Sequence, residues 1–576
     1  MQTQRTILWV IFTMSLLFLW DAWQRHQGQP SLFGGGTPAT TAQAPAASAP
    51  GAGAGAAKVD PSLPQPGAQA PVPAGPAAVP AGPAAATAGA APIRLVTDVL
   101  SIDVDPAGGE LQRAELLKYT DTEAGASANV VLFEEKPGHV YVAQTGLVGA
   151  PGQSLPNHRT PFSVESGPRE LAAGADSLQL KMSAEQGGVR VLRTYTLKRG
   201  SYAIDVKTEI SNVGSEPVRP TLYMQLTRDK KPPSSVAGIA STFVPIGTYG
   251  PVVYTDAQKF QKVDFGAIEK GSQDHARSAK DGWIGMMQHY FVSAWVPTQG
   301  VERTIETARI DGDLYTVRVR QPLAEIAPGA SSVVDAILFV GPQDQATLES
   351  IAPGLDLVVD YGWLTVIAKP IFELLQFLHG IVKNWGWAIV LLTLIVKLAF
   401  FPLQAASYRS MAKMKKVGPK LQQLRERYGD DRVKMNQAMM ELYKTEKINP
   451  LGGCLPIVVQ IPVFIALYYV LFASVELRGA PWLGWIKDLA SPDPWYILPL
   501  LMAISMFVQT KLNPTPPDPL QAKMMLWMPL IFSVMFFFFP AGLVLYWLVN
   551  NLFSIAQQWV ITRRIEGKPV FGRAAA

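Results

Sequence analysis

A single lysine lies inside an otherwise apolar stretch of the chain. The segment WGWAIVLLTLIVKLAFFPL, residues 385–403, has the length and composition of a membrane-spanning helix except for Lys397. An ionised side chain near the middle of such a helix costs roughly 2.5–3.5 kcal/mol. Either Lys397 snorkels to the nearer interface, or it faces a wet cavity between helices. Thr393 and Gln404 mark the same face of the helix as polar, which favours the cavity.

Later apolar segments also contain polar residues that could line such a cavity. These candidates are Gln460, Ser505, Gln509, Asn550, Asn551, Ser554 and Gln557. Taken singly, each is explained equally well by a hydrogen bond between two helices. The apolar segments offer Lys397 no acidic partner, so neither an ion pair nor a carboxylate proton relay is expected. The predicted chemistry is electrostatic attraction in a polar groove, and we do not expect an enzyme.

The sequence lacks motifs for covalent or metal chemistry. There is no P-loop, nucleotide fingerprint, metal-ligand cluster or nucleophile motif in a supporting context, so no cofactor, no metal and no nucleotide hydrolysis are expected. The histidines of the middle region are scattered without ligand spacing, and we expect ordinary solvated or core residues. They are His139, His158, His275 and His289. The single cysteine, Cys454, excludes an intramolecular disulfide.

The chain as a whole is too apolar for an ordinary water-soluble protein. Its 576 residues are 48% hydrophobic and 16% charged, which predicts a membrane protein. A net charge of +5 is small for this length and gives little support to DNA binding. Together with an uncleaved anchor at residues 7–20, the later apolar segments predict six crossings with bends at internal prolines. These segments are residues 385–403, 451–472, 495–510, 524–539 and 543–561.

The region between the anchor and these segments has a globular composition. In SYAIDVKTEI, residues 201–210, apolar and polar side chains alternate, as in a half-buried strand. Many such strands without βαβ alternation predict an antiparallel β-sandwich. An Ala/Pro/Gly-rich segment before it cannot bury enough apolar surface to fold and is predicted to be a disordered tether. The predicted domains are an anchor (1–24), the tether (25–92), the sandwich (93–354), an interfacial amphipathic helix (355–384), a five-helix core (385–562) and a basic tail (563–576).

Lysine and arginine predict the orientation of the chain. They concentrate in the segment at residues 407–448 and in the tail, so both termini and this segment are expected in the cytoplasm and the sandwich outside. Gly429 to Asp431 separate two helical patterns in the segment, which predicts a charged helical hairpin. Its methionines either pack the hairpin or form an adaptable apolar surface for partners. The methionines in question are Met411, Met414, Met435 and Met439.

Longer motifs resemble a known family. VDYGWL, NWGWAIVLLTLIVKLAFFPL, INPLGGCLPIVVQIPVFIALYYVL and GLVLYWLVNNLFSIAQQ are similar to the YidC/Oxa1/Alb3 membrane insertase family of Gram-negative type, and GWIGMMQHYFVSAWVP resembles its periplasmic domain. The resemblance covers essentially the whole chain apart from the tether. It implies six transmembrane helices, five of them forming the core, and a periplasmic β-supersandwich in a protein of the bacterial inner membrane.

The resemblance also implies an activity. Members of this family are membrane protein insertases and folding chaperones that work without nucleotide hydrolysis, through a groove open to the cytoplasm and to lipid. Lys397 would be the groove cation, where many relatives have an arginine with a planar fork that lysine lacks. To Thr393, Gln460 and Asn550, identified above, the resemblance adds groove and path residues. They are Tyr546 and Trp547 in the groove and Phe464 and Met502 near the substrate path.

The implied partners are nascent membrane proteins, the Sec translocon, the lipid bilayer and, through weak contacts of the basic segment and tail, the ribosome and signal-recognition targeting factors. Two other functions remain open. A solute or ion transporter could use Lys397 as its site, and internal repeats would support it, but no convincing repeat is visible. An anchored carbohydrate enzyme would need a convergent pair of carboxylates or histidines in the sandwich, and no such pair is identifiable.

Overall fold

The chain forms two compact units, the first extending to Val359 and the second beginning at Asp360. The predicted anchor, nearly all of the tether, most of the basic tail and Cys454 lie outside the described residues. The computed structural model describes residues 91–121, 128–231, 249–272, 274–310, 312–428, 431–446, 455–513 and 519–565.

Nineteen strands build the first unit among these residues. They are β1 (Ile93–Val96), β2 (Leu100–Val104), β3 (Leu111–Thr120), β4 (Asn129–Val131), β5 (Glu134–Lys136), β6 (His139–Val148), β7 (Ser163–Val164), β8 (Ser177–Gln186), β9 (Val189–Lys198), β10 (Ala203–Asn212), β11 (Thr221–Asp229), β12 (Gly250–Thr255), β13 (Lys259–Lys262), β14 (Ser278–Ala279), β15 (Trp283–Gln288), β16 (Phe291–Pro297), β17 (Arg303–Arg309), β18 (Leu314–Pro322) and β19 (Ser331–Pro342). Two short helices, α1 (Phe265–Glu269) and α2 (Gln345–Ile351), accompany them.

The strands form two antiparallel sheets. The first has the order β1-β2-β3-β6-β11-β18-β17-β14, with β4 on β3 and β5 on β6, and the second has the order β13-β12-β15-β16-β19-β10-β9-β8-β7. Trp295 of the second sheet donates its indole N–H to the carbonyl of Gln225 in the first, 3.1 Å away, so the sheets face each other. The predicted antiparallel sandwich is confirmed.

Strand β10 illustrates how the sequence specifies this packing. Ile204, Val206 and Ile210 are buried, whereas Lys207 is exposed, as the alternating pattern predicts. Val206 lies opposite Tyr195 of β9 on one side and Ala336 of β19 on the other. Both neighbours are hydrogen-bonded along the whole strand, so β10 lies inside the sheet and contributes one apolar face to the core.

The second unit is helical. Its helices are α3 (Thr365–Val382), α4 (Trp385–Ala399), α5 (Phe401–Tyr428), α6 (Arg432–Thr445), α7 (Leu455–Ala473), α8 (Ile497–Leu512), α9 (Pro519–Ser533) and α10 (Ala541–Ile565). Helix α10 is central, because α4, α5, α7 and α8 all contact it, while α3 packs on α4 and α7. Helices α5 and α6 end and begin on either side of Gly429 and Asp430, which lie outside the described residues.

The segment at residues 385–403, treated above as one span, is divided between two helices. Helix α4 ends at Ala399, and α5 leaves at 66° from it after Phe400. Pro402 accounts for the break, since its ring lacks an N–H donor and is tolerated only in the first turn of a new helix. The bend matters for the site because it turns the following residues of α5 toward the end of α4.

Length and composition single out few helices of this unit as complete spans. Within the described residues, α3 alone is long and apolar enough to cross a membrane, and α4 with residues 401–414 satisfies the same criterion as a bent pair. Residues 459–473, 497–512 and 526–538 form shorter apolar helices. Helix α3 is the element that the sequence predicts to be interfacial, so its composition is compatible with a deeper position.

Candidate functional site

Lys397 lies in the last turn of α4, and its side chain is almost fully buried, with 6% exposure. The ammonium group donates to the hydroxyl of Ser554 on α10 at 2.6 Å and to the amide oxygen of Gln404 on α5 at 3.4 Å. The break at Phe400 makes the second contact possible, because it directs Gln404 back toward Lys397. The lysine therefore does not reach out to solvent but is held inside the bundle by neutral oxygen atoms.

Two further hydrogen bonds extend this contact across the bundle. Gln404 donates from its amide nitrogen to Gln460 of α7 at 3.1 Å, and Gln460 donates in turn to Asn550 of α10 at 3.3 Å. Side chains from α4, α5, α7 and α10 are thus joined in one network. Such side-chain amides can accept from a cation and donate to an anion, so the network is suited to exchanging partners.

These residues surround a cavity of about 250 Å³. Lys397 is the one charged residue among those that line it, so the cation has no carboxylate partner there. Most of the other lining groups are amides and hydroxyls. The lining residues are Lys397, Gln404, Ser407, Tyr408, Met411, Gln460, Phe464, Gln509, Asn513, Asn550, Asn551, Ser554 and Gln558. A cavity of this kind can hold water and attract negative charge.

Polar pairs between α8 and α10 close one wall of the cavity. Asn551 donates to the hydroxyl of Ser505 at 2.8 Å, and Gln558 donates to Asn513 at 3.0 Å. The Ser505 hydroxyl itself donates to the carbonyl of Met502 at 2.8 Å. These bonds fix the two helices against each other along the side of the cavity.

The chain matches two known protein families. The family described as YidC periplasmic domain matches residues 92–374, and the family described as 60Kd inner membrane protein matches residues 377–568. A membrane protein insertase YidC of Bordetella pertussis is 55% identical over 98% of this chain and 98% of its own length. This chain belongs to the YidC family of membrane protein insertases. One of Cupriavidus necator is 55% identical over 100% of this chain and 99% of its own length.

Membership assigns the chain to inner-membrane proteins that have a periplasmic domain. A solved structure described as an active YidC insertase with its first transmembrane domain resolved is 18% identical, with a TM-score of 0.38, over 82% of this chain and 92% of that one.

The predicted groove residues fall into two groups. Lys397, Gln460, Asn550 and Phe464 line the cavity, whereas Thr393, Tyr546, Trp547 and Met502 do not. The Thr393 hydroxyl donates to the carbonyl of Ile389 one turn earlier, which satisfies it within its own helix. Tyr546 packs edge-on against Phe464 behind the cavity, and Trp547 packs against Phe536.

The methionines predicted to form a partner surface are also divided. Met411 lines the cavity, while Met414, Met435 and Met439 are half-buried on the hairpin of α5 and α6. An ion pair between Lys420 and Glu446 at 2.6 Å bridges from α5 to the end of α6. Met411 therefore lies where the hairpin meets the cavity.

Sequence reasoning missed four lining residues: Ser407, Tyr408, Asn513 and Gln558. A signal for the first two was present. Gln404, Ser407, Tyr408 and Met411 are spaced by three, four and seven residues, which places them on one helical face. The density of lysine and arginine in residues 407–448 instead predicts a cytoplasmic hairpin for Ser407 and Tyr408.

The sandwich also has a pocket, an open one of about 450 Å³ lined by β17, β18 and Arg277. Its Arg318 pairs with Glu306 at 3.0 Å, whereas Lys397 donates to an amide and a hydroxyl.

The buried histidines of the sandwich serve the fold, since His158 contacts the Tyr223 hydroxyl at 2.5 Å and His275 contacts Thr307 at 3.1 Å. His139 contacts the carboxylate of Asp229 at 2.7 Å. Over the described part of the chain, no group of three or more His, Cys, Asp or Glu residues could hold a metal ion.

Proposed function

We propose that this chain inserts apolar segments of newly made proteins into the inner membrane, and that the cavity around Lys397 is the groove that receives their polar parts. The observation that supports this most directly is the burial of a lysine among amides and hydroxyls without a carboxylate. A structural cation would be expected to have an acidic partner or to donate to fixed backbone carbonyls, as Arg303 does, whereas Lys397 donates to side-chain oxygens. Lys397 is instead available to a negative group that arrives with the client.

The physical reason is the cost of moving polar chain through hydrocarbon. A hydrophilic segment that crosses a core about 30 Å thick must lose its hydration shell. A groove that contains water and side-chain amides replaces part of that thickness and lowers the barrier. Burial of the client's apolar helix in lipid supplies the free energy, so the reaction needs neither a nucleotide nor a covalent step.

The roles of individual residues follow from this arrangement. Lys397 attracts acidic groups of the client, and Gln404, Gln460 and Asn550 solvate the polar chain. Phe464 offers an apolar edge to the emerging helix, with Tyr546 supporting Phe464 from behind. Thr393, Trp547 and Met502 shape the surroundings of the groove without lining the cavity.

The orientation and partners also belong to this proposal. The basic hairpin and tail favour cytoplasmic termini, which leaves the sandwich in the periplasm. On the cytoplasmic hairpin, the methionines would contact chains that leave the ribosome or that targeting factors deliver. These are Met411, Met414, Met435 and Met439. Association with the Sec translocon would extend the activity to clients with large exported domains.

Protease protection of a purified client tests the function. A single-span protein with a short acidic exported tail is added to liposomes that contain this protein, to empty liposomes and to liposomes that contain a protein with Gln460→Leu and Asn550→Leu. Without nucleotide, we expect protection in the first sample, protection at a reduced rate in the third and none with empty liposomes. Protection no greater than that of empty liposomes would contradict the proposal, and flux of a labelled anion would then test the transporter alternative.

A further inference from the structure

The loop at residues 478–496, between α7 and α8, lies at the end of the bundle opposite to the cavity. Lys397 follows the cap of α4, Asn384, by thirteen residues, and Ser554 follows the start of α10, Ala541, by thirteen residues. At 1.5 Å per residue, about 20 Å of helix separates the loop end from the cavity. Under the proposed orientation, the loop faces the periplasm.

The loop is bonded to the beginnings of three helices. Asn384 donates from its side chain to the carbonyl of Pro481 at 3.1 Å. At the start of α10, the N–H groups of Ala541 and Gly542 donate to the carbonyls of Ser491 and Leu489 at 2.8 and 2.9 Å. These N–H groups have no partner within their own helix, so the loop supplies the partners. The third helix, α8, is held by a side chain.

That side chain is Asp493, which is 1% exposed. Its carboxylate accepts the N–H of Leu498 in the first turn of α8 at 2.7 Å, the N–H of Trp495 at 3.0 Å and the indole N–H of Trp485 at 2.9 Å. Between these donors, Tyr496 adopts a left-handed conformation with φ of 56°, which a tyrosine rarely occupies. Three bonds to one carboxylate hold this strained turn.

Aromatic side chains fill the remaining space of the loop. Trp485 and Trp495 stack with ring centres 5.6 Å apart and an interplanar angle of 6°. Trp482 lies against α4 at Gly386, where an added Cβ would come within 2.1 Å of its ring. Trp482 also contacts Trp387 edge-on. The loop therefore does more than connect α7 to α8, because it packs against and hydrogen-bonds to the ends of several helices.

We propose that the loop at residues 478–496 is the seal that closes the outer end of the bundle, and that Asp493 is the positioning residue that keeps it closed. The inference rests on the proposed function, because a wet groove that opens on one side only would conduct ions if its outer end loosened. An apolar layer that includes Ile389, Leu392 and Leu545 lies between the loop and the cavity. Without the loop, this layer does not keep the outer end closed.

Thiol accessibility in the full-length protein tests the seal. Cys454→Ser removes the single native cysteine, and Leu392→Cys, whose parent side chain is fully buried, reports on the apolar layer. A membrane-impermeant maleimide is applied to the periplasmic side of spheroplasts. We expect Asp493→Ala to accelerate labelling at least about tenfold, because three buried hydrogen bonds are lost. Trp485→Phe keeps the stacked ring and removes one donor, so labelling should rise about threefold.

Lys487 is exposed in the same loop, and Lys487→Gln should leave the labelling rate unchanged. If Asp493→Ala does not accumulate, Trp485→Phe and Asp493→Asn provide the comparison at normal protein level. Labelling as slow as in the parent protein in all of these variants would overturn the proposal, since the apolar layer would then seal alone. Client insertion, measured in parallel, separates this result from a failure of the proposed function.

Discussion

The two units bury charged side chains in different ways. In the sandwich, buried arginines donate to backbone carbonyls, and Arg303 donates to those of Lys280 and Thr298 at 2.9 and 2.8 Å. Arg193 and Arg228 also donate to backbone carbonyls, in strands as well as in loops. In the helical unit, Lys397 is bonded to side-chain oxygens that border a cavity. The arginines are therefore parts of the fold, whereas the proposed function assigns the lysine to a client.

The difference shows how a buried charge can be assigned to stability or to function. A backbone carbonyl cannot leave its position, so a guanidinium bonded to several carbonyls fixes the loops that carry them. An amide or hydroxyl side chain can rotate and accept a different donor. The lysine network can therefore open for a client and close again, which the arginine contacts cannot do without unfolding a loop.

Replacing Lys397 should separate activity from stability most clearly. Lys397→Met should slow insertion of an acid-tailed client at least about tenfold, since a hydrogen bond to a charged group contributes about 1.5–3 kcal/mol. The Tm of the helical unit should stay unchanged or rise, because a buried cation is removed. Protease protection and the helical signal in circular dichroism measure the two quantities. A clear fall in Tm would show that Lys397 is structural.

Removing a sandwich arginine should lower stability. Arg303→Leu leaves buried carbonyls without donors, and a loss of about 3 kcal/mol would lower the Tm of the β-sheet signal by roughly 6–12 °C. Arg199 makes similar bonds to the carbonyls of Ala172 and Ala175 on the surface, so Arg199→Leu is the matched control and should shift the Tm by less than about 4 °C. Equal shifts for both variants would refute the distinction.

The amide network predicts an intermediate effect. Gln404→Leu removes the bonds to Lys397 and Gln460 while the cation remains, so insertion should slow about threefold. Gln557 is also one of the polar residues that the sequence predicts to line the cavity. In the structure it donates to the carbonyl of Phe401 and does not line the cavity. Gln557→Leu should therefore change the rate by less than about twofold. A larger effect from Gln557 would mean that the cavity boundaries are wrong.

A buried carboxylate in the sandwich has an effect on stability that is visible only as a pH dependence. Burial, and then the nearby Glu135 and Asp105, raise the pKa of Glu110 from 4.5 to about 8. Because the native pKa is the higher one, the native state loses stability as pH rises between these values. Glu110→Gln keeps the acceptor for Gln144, so it should raise the Tm at pH 8 and not at pH 4.5. An equal change at both pH values would contradict this assignment.

The sequence predicts those parts of the molecule that local pattern determines. Alternation in residues 201–210 predicts β10, and the unusual position of Lys397 identifies the centre of the site. The convergence of Gln404, Ser407 and Tyr408 on that lysine depends on the 66° bend after Phe400, which Pro402 suggests but does not quantify. The role of Asp493 could not be predicted, because its donors meet only when the loop and α8 pack together.

The most direct test of the central claim is a double-mutant cycle between Lys397 and the acidic residues of the client. Insertion rates are measured for a client with an acidic tail and for the same client with its acidic residues changed to amides, each with the parent protein and with Lys397→Met. If Lys397 attracts the client's carboxylates, the substitution should slow the acidic client at least about tenfold and the neutral client less than about twofold. Equal slowing of both clients would contradict the claim, since Lys397 would then act on the groove alone.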